Sequence, residues 1–315
     1  MGVLMRALVL AGGGSRGSWE AGVLKYLARS GQFDEGFGFV SGTSVGAINA
    51  AGVAMFPAKD FKQAAAFVEQ MWVQHINRTK DVWRLRWPWG IPSLWNPSVG
   101  IPGNLEQILT RIVDIQAIQE SGVQVRFASV DMVSGQLVVH TNADMLQYGI
   151  SPIMASASYP LAFTPVSVGP HWLSDGGLRD TAPVGAAIDA GADDITILTT
   201  RNPYEMDLKP QAEMKNIMQF GLRCLSLMMY EGVQSDVRIA EVYNRFGSIG
   251  ATMRKHGVDE VTIAKVVSEM GADKKVVKLR VLYPSRKLHT SLDFSGDKMR
   301  EQIALGEADA EALLK

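Results

Sequence analysis

The chain has 315 residues, 47% of them hydrophobic and 20% charged, which is typical of a globular protein with one large α/β domain or two small ones. Its 31 Lys and Arg against 32 Asp and Glu leave a net charge of −1, which excludes a strong overall field attracting nucleic acid or anionic membranes. The single Cys224 excludes an intramolecular disulfide and fits a reducing compartment.

The first predicted strand covers residues 7–11, an apolar run too short for a signal peptide and followed at once by glycines. No stretch of the sequence approaches the roughly 18 apolar residues of a membrane span. We therefore expect a cytoplasmic protein.

A glycine-rich loop, Gly12-Gly13-Gly14-Ser15-Arg16-Gly17, follows the first strand and precedes a helical pattern. Three of its glycines fit the dinucleotide-binding spacing Gly-x-Gly-x-x-Gly, but that site needs an acidic residue about 20 positions further on, at the end of the second strand. That strand is followed by Ser41-Gly42-Thr43-Ser44 instead. The loop is better suited to aim backbone N–H groups at a developing oxyanion, and a nucleotide-binding enzyme is the weaker alternative.

The second predicted strand, residues 37–40, leads into Gly42-Thr43-Ser44-Val45-Gly46 and then into a run of small residues at helical spacing. Gly-x-Ser-x-Gly between a strand and a helix is the pattern of a nucleophile elbow, because the tight turn excludes bulky flanking side chains. Ser44 would lie near a helix N-terminus, which favours an anion. An ordinary turn that caps a helix is the alternative.

Residues 57–76 are predicted to form an amphipathic helix, and residues 81–103 differ from the rest of the chain. That segment holds four prolines and four of the seven tryptophans: Trp83, Trp87, Trp89 and Trp95. Aromatic residues beside arginines in a long irregular segment suit a cap, a lid or a lipid–water interface. Simple packing of a long loop is the alternative.

Further along, the patterns predict helices over residues 104–112, 145–155, 211–246 and 297–315, and strands over 123–131, 136–141, 194–200 and 276–282. A hairpin across Gly169-Pro170 leads to Asp175-Gly176-Gly177. Asp175 is an acidic residue at a strand end, and the two glycines after it allow an unusual backbone conformation that can expose its carboxylate to other residues. An ordinary Asp-Gly turn is the alternative. We predict one domain, 1–315, with a motif core over 5–200, a cap or lid at 81–103 and a helical and strand region at 201–315.

The glycine-rich loop, the serine elbow and Asp175-Gly176-Gly177, in this order, resemble the patatin-like phospholipases, especially compact bacterial members. Ala157-Ser158 and Phe163-Thr164-Pro165-Val166 add to the resemblance, which covers roughly residues 5–200. It implies a three-layer α/β/α fold with a central, mostly parallel sheet, and a Ser-Asp dyad. Val45 stands where alanine is commoner in the family, and Thr164 where proline is frequent.

The resemblance assigns Ser44 as nucleophile and Asp175 as its base, which agrees with the need of a serine hydroxyl for a proton acceptor. We expect the oxyanion hole at Gly12, Gly13, Gly14, Arg16 and Gly17, and support of the elbow and dyad from Gly42, Val45, Gly46, Gly176 and Gly177. A triad that includes His171, His256 or His289 is an alternative.

The expected function is a serine lipid acyl hydrolase, that is, a phospholipase A, lysophospholipase or carboxylic ester hydrolase that works through an acyl-enzyme. The expected substrate is a phospholipid or another acyl ester, and the four tryptophans would allow peripheral membrane contact. No cofactor, no metal and no nucleic acid partner are expected. A non-catalytic lipid-binding or regulatory module of the same fold is the alternative.

Overall fold

The computed structural model describes residues 4–85, 96, 98, 100–205, 208–269 and 277–315. Its strands are β1 Arg6–Leu10, β2 Phe39–Thr43, β3 Trp83–Leu85, β4 Gly100–Pro102, β5 Gln124–Asp131, β6 Leu137–His140, β7 Val166–Val168, β8 His171–Asp175, β9 Asp194–Leu198 and β10 Lys278–Leu282. Within these described ranges, eight strands form the main sheet in the order β10-β9-β1-β2-β5-β8-β7, with β6 also paired to β5. The strands β3 and β4 form a separate hairpin.

The middle of the main sheet is parallel and one side of it is antiparallel. Parallel pairs join β10 to β9, β9 to β1, β1 to β2 and β2 to β5. Antiparallel pairs join β5 to β6, β5 to β8 and β7 to β8. Since parallel strands end at the same edge of a sheet, the turns that follow β1 and β2 lie side by side.

The helices cover both faces of this sheet. They are α1 Gly17–Arg29, α2 Val45–Ala54, α3 Phe61–Gln70, α4 Thr79–Val82, α5 Leu105–Ile112, α6 Ile115–Glu120, α7 Asn142–Tyr148, α8 Ser151–Ser156, α9 Val184–Asp189, α10 Ile217–Lys255, α11 Glu260–Glu269 and α12 Gly296–Leu314. A π-helical turn, Met71–His75, extends α3.

Alternate residues of β1 point into two different cores, as the period of two in a strand requires. Leu8 and Leu10 belong to a core formed with residues of α1, α2, α3 and α12, whereas Ala7 and Val9 belong to one formed with residues of α9 and α10. This arrangement confirms the predicted three-layer α/β/α fold with a central, mostly parallel sheet.

Several predicted boundaries were wrong. Residues 145–155, predicted as one helix, belong to two, α7 and α8, and the long helix ends at Lys255 and not at residue 246. The second strand runs to Thr43 and not to residue 40, because Gly42 and Thr43 still pair with Phe127 and Ala128 of β5. The long helix α10 begins at Ile217 and not at residue 211, since Asn216 caps it by accepting a hydrogen bond from the Gln219 N–H at 2.9 Å.

The tryptophan-rich segment is described only in part. Trp83 is half-buried against the main core, and its Nε1 donates a hydrogen bond to the Leu292 carbonyl oxygen at 2.9 Å, so it packs within the fold. Trp87, Trp89 and Trp95 lie outside the described residues. In the ranges that the structure does cover, no helix is both long and apolar enough to cross a membrane.

Candidate active site

Ser44 occupies a strained turn between β2 and α2. Its backbone angles are φ 58° and ψ −127°, a region that residues with a side chain rarely adopt. The Ser44 N–H donates a hydrogen bond to Ser156 Oγ at 3.0 Å, which holds the turn from the side of α8. This is the geometry expected of a nucleophile elbow.

The two glycines of the elbow are required by close backbone contacts. A Cβ on Gly46 would lie 2.1 Å from the Leu10 carbonyl oxygen, and a Cβ on Gly42 would lie 2.3 Å from the Gly46 carbonyl oxygen. Both distances are far below van der Waals contact, so a larger residue at position 46 would have to displace β1, and one at position 42 the start of α2.

Asp175 ends β8 and is completely buried. Its Oδ1 accepts a hydrogen bond from the Gly177 N–H at 2.8 Å, and its own N–H donates to the Ser158 carbonyl oxygen at 3.1 Å. Burial raises the pKa of this carboxyl to about 7, while the Ser44 hydroxyl and the Gly177 N–H partly oppose the rise in pKa by stabilising the anion.

The second carboxylate oxygen of Asp175, Oδ2, makes no hydrogen bond of normal geometry with any described residue. The interaction with Ser44 is therefore longer or more bent than an ordinary hydrogen bond. Contacts between nucleophile and base are often loose without substrate and tighten in the reacting complex.

The glycine-rich loop leaves two backbone donors unused beside Ser44. The Gly12 N–H donates to the Thr181 carbonyl oxygen at 3.1 Å, and the Ser15 N–H donates to the Ser291 carbonyl oxygen at 2.8 Å. Over the part of the chain that the structure describes, the N–H groups of Gly13 and Gly14 donate no hydrogen bond, and both residues line a cavity together with Ser44. They are the donors best suited to an oxyanion.

The other predicted members of the oxyanion hole have structural contacts. A Cβ on Gly12 would lie 3.2 Å from Ser44 Cβ, and one on Gly17 would lie 2.5 Å from a methyl group of Val45, so both allow the loop to approach the elbow. The Arg16 Nε donates to the His289 carbonyl oxygen at 2.9 Å. Arg16 therefore ties the loop to the segment that precedes α12.

The glycines after Asp175 also lie at close contacts. A Cβ on Gly176 would lie 2.3 Å from the Ala128 carbonyl oxygen, and one on Gly177 would lie 2.2 Å from the terminal methyl of Met229. Gly177 also supplies the N–H that holds Asp175 Oδ1. Both glycines thus fix the position of the carboxyl group.

The cavity over Ser44 has a volume of about 830 Å³, counting the space open to solvent at its mouth. Most of its wall is apolar: Val45, Ile48, Trp72, Ile76, Val82, Leu105, Ala157, Phe163, Met229, Val233, Leu292 and Phe294. An apolar cavity with a serine in its wall is suited to an acyl chain whose carbonyl carbon reaches the hydroxyl.

All five histidines lie within the described residues, and none lines this cavity. His171 Nδ1 is 3.2 Å from Asp131 Oδ2, and His289 Nε2 is 2.9 Å from Glu301 Oε2. His256 follows the last residue of α10. Among the described residues, the titratable group that interacts with the Ser44 hydroxyl is therefore the Asp175 carboxyl and not a histidine.

The model of the patatin-like phospholipase family matches residues 8–188, which is more than half of the chain. The chain belongs to the patatin-like phospholipase family. The matched region contains the glycine-rich loop, the serine elbow and Asp175, so the family resemblance noted in the sequence is confirmed.

Among curated proteins, this patatin-like chain is 24% identical over 202 residues to patatin-like phospholipase domain-containing protein 7 of Mus musculus, and equally to that of Rattus norvegicus. The alignment covers 64% of the chain but only 14% of each relative. Among solved structures, VipD from Legionella pneumophila aligns with a TM-score of 0.45 and 11% identity, over 99% of this chain and 67% of that one.

Proposed function

We propose that this protein hydrolyses acyl esters of lipids, with Ser44 as nucleophile and Asp175 as general base. One observation carries the proposal: the strained Ser44 lines a mostly apolar cavity together with Gly13 and Gly14, whose N–H groups are unused, and its hydroxyl stabilises the anion of the buried Asp175 carboxyl. A serine in that setting has a base, an oxyanion site and space for an acyl chain.

In the first half of the reaction, Asp175 accepts the Ser44 proton while Ser44 Oγ forms a bond to the ester carbonyl carbon. The N–H groups of Gly13 and Gly14, with that of Val45 at the start of α2, stabilise the negative charge on the carbonyl oxygen. When the intermediate collapses, the carbon–oxygen bond to the alcohol breaks, and Asp175 returns the proton to the leaving alcohol oxygen. The product is an acyl-Ser44 ester and a free alcohol.

In the second half, Asp175 takes a proton from water as the water oxygen attacks the acyl carbon. Collapse of this second intermediate releases the fatty acid, and Ser44 Oγ recovers its proton from Asp175. The carboxyl group thus acts as base and then acid in each half, which suits a group whose pKa is raised to about 7.

The substrate class we propose is a phospholipid or lysophospholipid, and the activity is that of a phospholipase A or lysophospholipase. The mostly apolar wall of the cavity and the membership of the family support a lipid acyl chain. The structure offers no group of three or more His, Cys, Asp or Glu side chains arranged to hold a metal ion among the residues it describes.

The test compares wild type, Ser44→Ala, Asp175→Asn and His171→Ala on a p-nitrophenyl acyl ester series and on phospholipid vesicles, with each variant checked for folding. We expect Ser44→Ala and Asp175→Asn to lose about a thousandfold or more in kcat/KM. His171 lies away from the cavity, so its variant serves as the control. If folded Ser44→Ala is as active as wild type, or wild type is inert on all esters, a lipid-binding or regulatory role replaces the proposal.

We also propose that the tryptophan-rich segment, residues 81–103, contacts the lipid surface. Replacing Trp87 and Trp89 with alanine should lower the ratio of vesicle hydrolysis to soluble-ester hydrolysis. Trp172 is 40% exposed and lies outside that segment, so Trp172→Ala is the matched control. Equal loss on both substrates would show that the two tryptophans act through packing instead.

A further inference from the structure

Tyr159 is a polar side chain in the mostly apolar wall of the Ser44 cavity, and the reaction proposed above does not use it. It is half-buried against the main core, in the segment between α8 and β7. No residue that the structure describes forms a hydrogen bond with the Tyr159 hydroxyl, and this oxygen is not fully buried. A phenol in such a position needs a hydrogen-bond partner, which water or a ligand in the cavity can supply.

The backbone beside Tyr159 is tied to both members of the proposed dyad. Ser156 Oγ accepts a hydrogen bond from the Ser44 N–H at 3.0 Å, and the Ser158 carbonyl oxygen accepts one from the Asp175 N–H at 3.1 Å. Both bonds lie within three positions of Tyr159 along the chain. The segment that ends at Tyr159 therefore bridges the nucleophile and its base, and it fixes where the phenol enters the cavity.

The Tyr159 phenol is close enough to Asp175 for its pKa to respond to the carboxylate. Burial is the main reason that the pKa of Tyr159 rises to about 12, and the charge of Asp175 raises this pKa further, while Arg201 and Arg16 lower it. The phenol therefore stays protonated at neutral pH. It can donate a hydrogen bond but cannot take the Ser44 proton, so its role differs from that of Asp175.

Tyr159 lies where the wall of the cavity becomes polar. A second pocket adjoins the cavity, and the wall residues common to both spaces are Tyr159, Arg201, Ser226, Ser291 and Leu292. All of these except Leu292 carry polar side chains, whereas the rest of the cavity wall is mostly apolar. An acyl chain favours the apolar part, so the alcohol part of an ester held at Ser44 would extend toward Tyr159.

We propose that Tyr159 is a further catalytic residue, whose hydroxyl donates a hydrogen bond to the alcohol-side oxygen of the ester as that oxygen leaves. This inference rests on the function proposed above. When the first tetrahedral intermediate collapses, the electron pair of the breaking carbon–oxygen bond moves onto the leaving oxygen, and Asp175 delivers the proton that it took from Ser44. Tyr159 keeps its own proton and stabilises the negative charge that develops on the leaving oxygen.

Leaving groups of different basicity test this role. A p-nitrophenolate is a stable anion that departs with little help, whereas a glyceryl alkoxide is strongly basic and needs its charge to be stabilised. The quantity to compare is kcat/KM, which reports formation of the acyl-enzyme, for the octanoyl esters of p-nitrophenol and of glycerol. Tyr159→Phe should lose about tenfold or more on the glyceryl ester, as expected for one hydrogen bond to a developing anion, and less than about threefold on the p-nitrophenyl ester.

Tyr148→Phe is the matched control, because it removes the same oxygen from a tyrosine of α7 that does not line the cavity. It should leave both rates unchanged. Circular dichroism checks that each variant is folded, and if Tyr159→Phe does not fold, Tyr159→Met, which also lacks the hydroxyl, is measured in the same way.

The outcomes separate this inference from the proposed catalysis. If wild type hydrolyses both esters but folded Tyr159→Phe loses activity equally on the two, Tyr159 acts through packing or on the oxyanion, and the inference alone is wrong. Full activity of Tyr159→Phe on the glyceryl ester would overturn it in the same way. If wild type hydrolyses neither ester, the proposed function fails and this inference fails with it.

Discussion

Asn49 joins the elbow helix α2 to the glycine-rich loop, because its Nδ2 donates a hydrogen bond to the Gly17 carbonyl oxygen at 2.9 Å. The same amide group donates to Glu20 Oε2 at 2.7 Å and accepts from Trp72 Nε1 at 2.8 Å. Asn49 and Glu20 are completely buried, and burial raises the pKa of the Glu20 carboxyl well above its usual value. This network joins α2, which begins directly after Ser44, to the start of α1, which directly follows the glycine-rich loop.

Asn49→Ala should destabilise the protein by about 2–4 kcal/mol, because it removes the partner of the buried Trp72 Nε1–H and of the buried Glu20 Oε2. We also expect a loss of kcat, since the loop is no longer held against the elbow. Urea unfolding measures the first effect and ester hydrolysis the second. The matched control is Gln116→Ala, which removes an exposed amide; an equal loss of stability in the control would contradict this role of Asn49.

Gly46→Ala should prevent normal packing of the elbow, since its Cβ would meet the Leu10 carbonyl oxygen at 2.1 Å. We expect a loss of several kcal/mol in the free energy of unfolding and no measurable ester hydrolysis. Gly185→Ala is the control, because a Cβ at Gly185 meets nothing within 4 Å and alanine favours the helix α9. Thermal unfolding of both variants measures the difference in stability. A stable, active Gly46→Ala enzyme would disprove the close contact.

Much of the fold could be predicted because it depends on local patterns. The short apolar runs at β1 and β9 are buried parallel strands, as their composition indicates. The glycines at positions 42 and 46 indicate a tight turn, and both lie at close backbone contacts. The strand end at Thr43 was missed because small polar residues give no strand pattern, and only pairing with β5 extends the strand.

The surroundings of the site depend on contacts between distant parts of the chain, which periodicity does not reveal. The hydrogen bond from Arg16 to the His289 carbonyl oxygen spans 273 positions, and that from Thr200 Oγ1 to the Gly12 carbonyl oxygen spans 188.

Ser44→Gly and Ser44→Ala should both abolish hydrolysis but differ in stability. Glycine adopts φ 58°, ψ −127° with little strain, whereas alanine keeps the Cβ that makes this conformation costly. We expect Ser44→Gly to be more stable than Ser44→Ala by about 1 kcal/mol, after allowance for the greater freedom of glycine in the unfolded chain. Urea denaturation of the two inactive proteins measures the difference. If Ser44→Ala were the more stable of the two, the elbow would store no backbone strain.

The raised pKa of Asp175 predicts opposite effects of pH on activity and on stability. Only the ionised carboxylate accepts the Ser44 proton, so kcat/KM on a neutral ester should rise with pH, with a midpoint near the pKa of about 7. A buried carboxyl whose pKa rises from 3.8 to about 7 holds its proton more tightly in the folded than in the unfolded state. Its ionisation therefore weakens the fold progressively as the pH increases from about 4 to about 7, and the full penalty remains above that range.

Asp175→Asn removes this penalty while keeping the shape of the side chain. The variant should consequently be more stable than wild type at pH 8, and the difference should shrink toward pH 4. Asp180 and Asp236 also have raised pKa values, of about 6 and about 7, but they titrate in both proteins, so the difference between wild type and variant isolates Asp175. Thermal unfolding at several pH values provides the measurement. A variant that is less stable than wild type at pH 8 would mean that the carboxylate is better stabilised in the folded state than its burial implies, and the activity profile would then shift to lower pH.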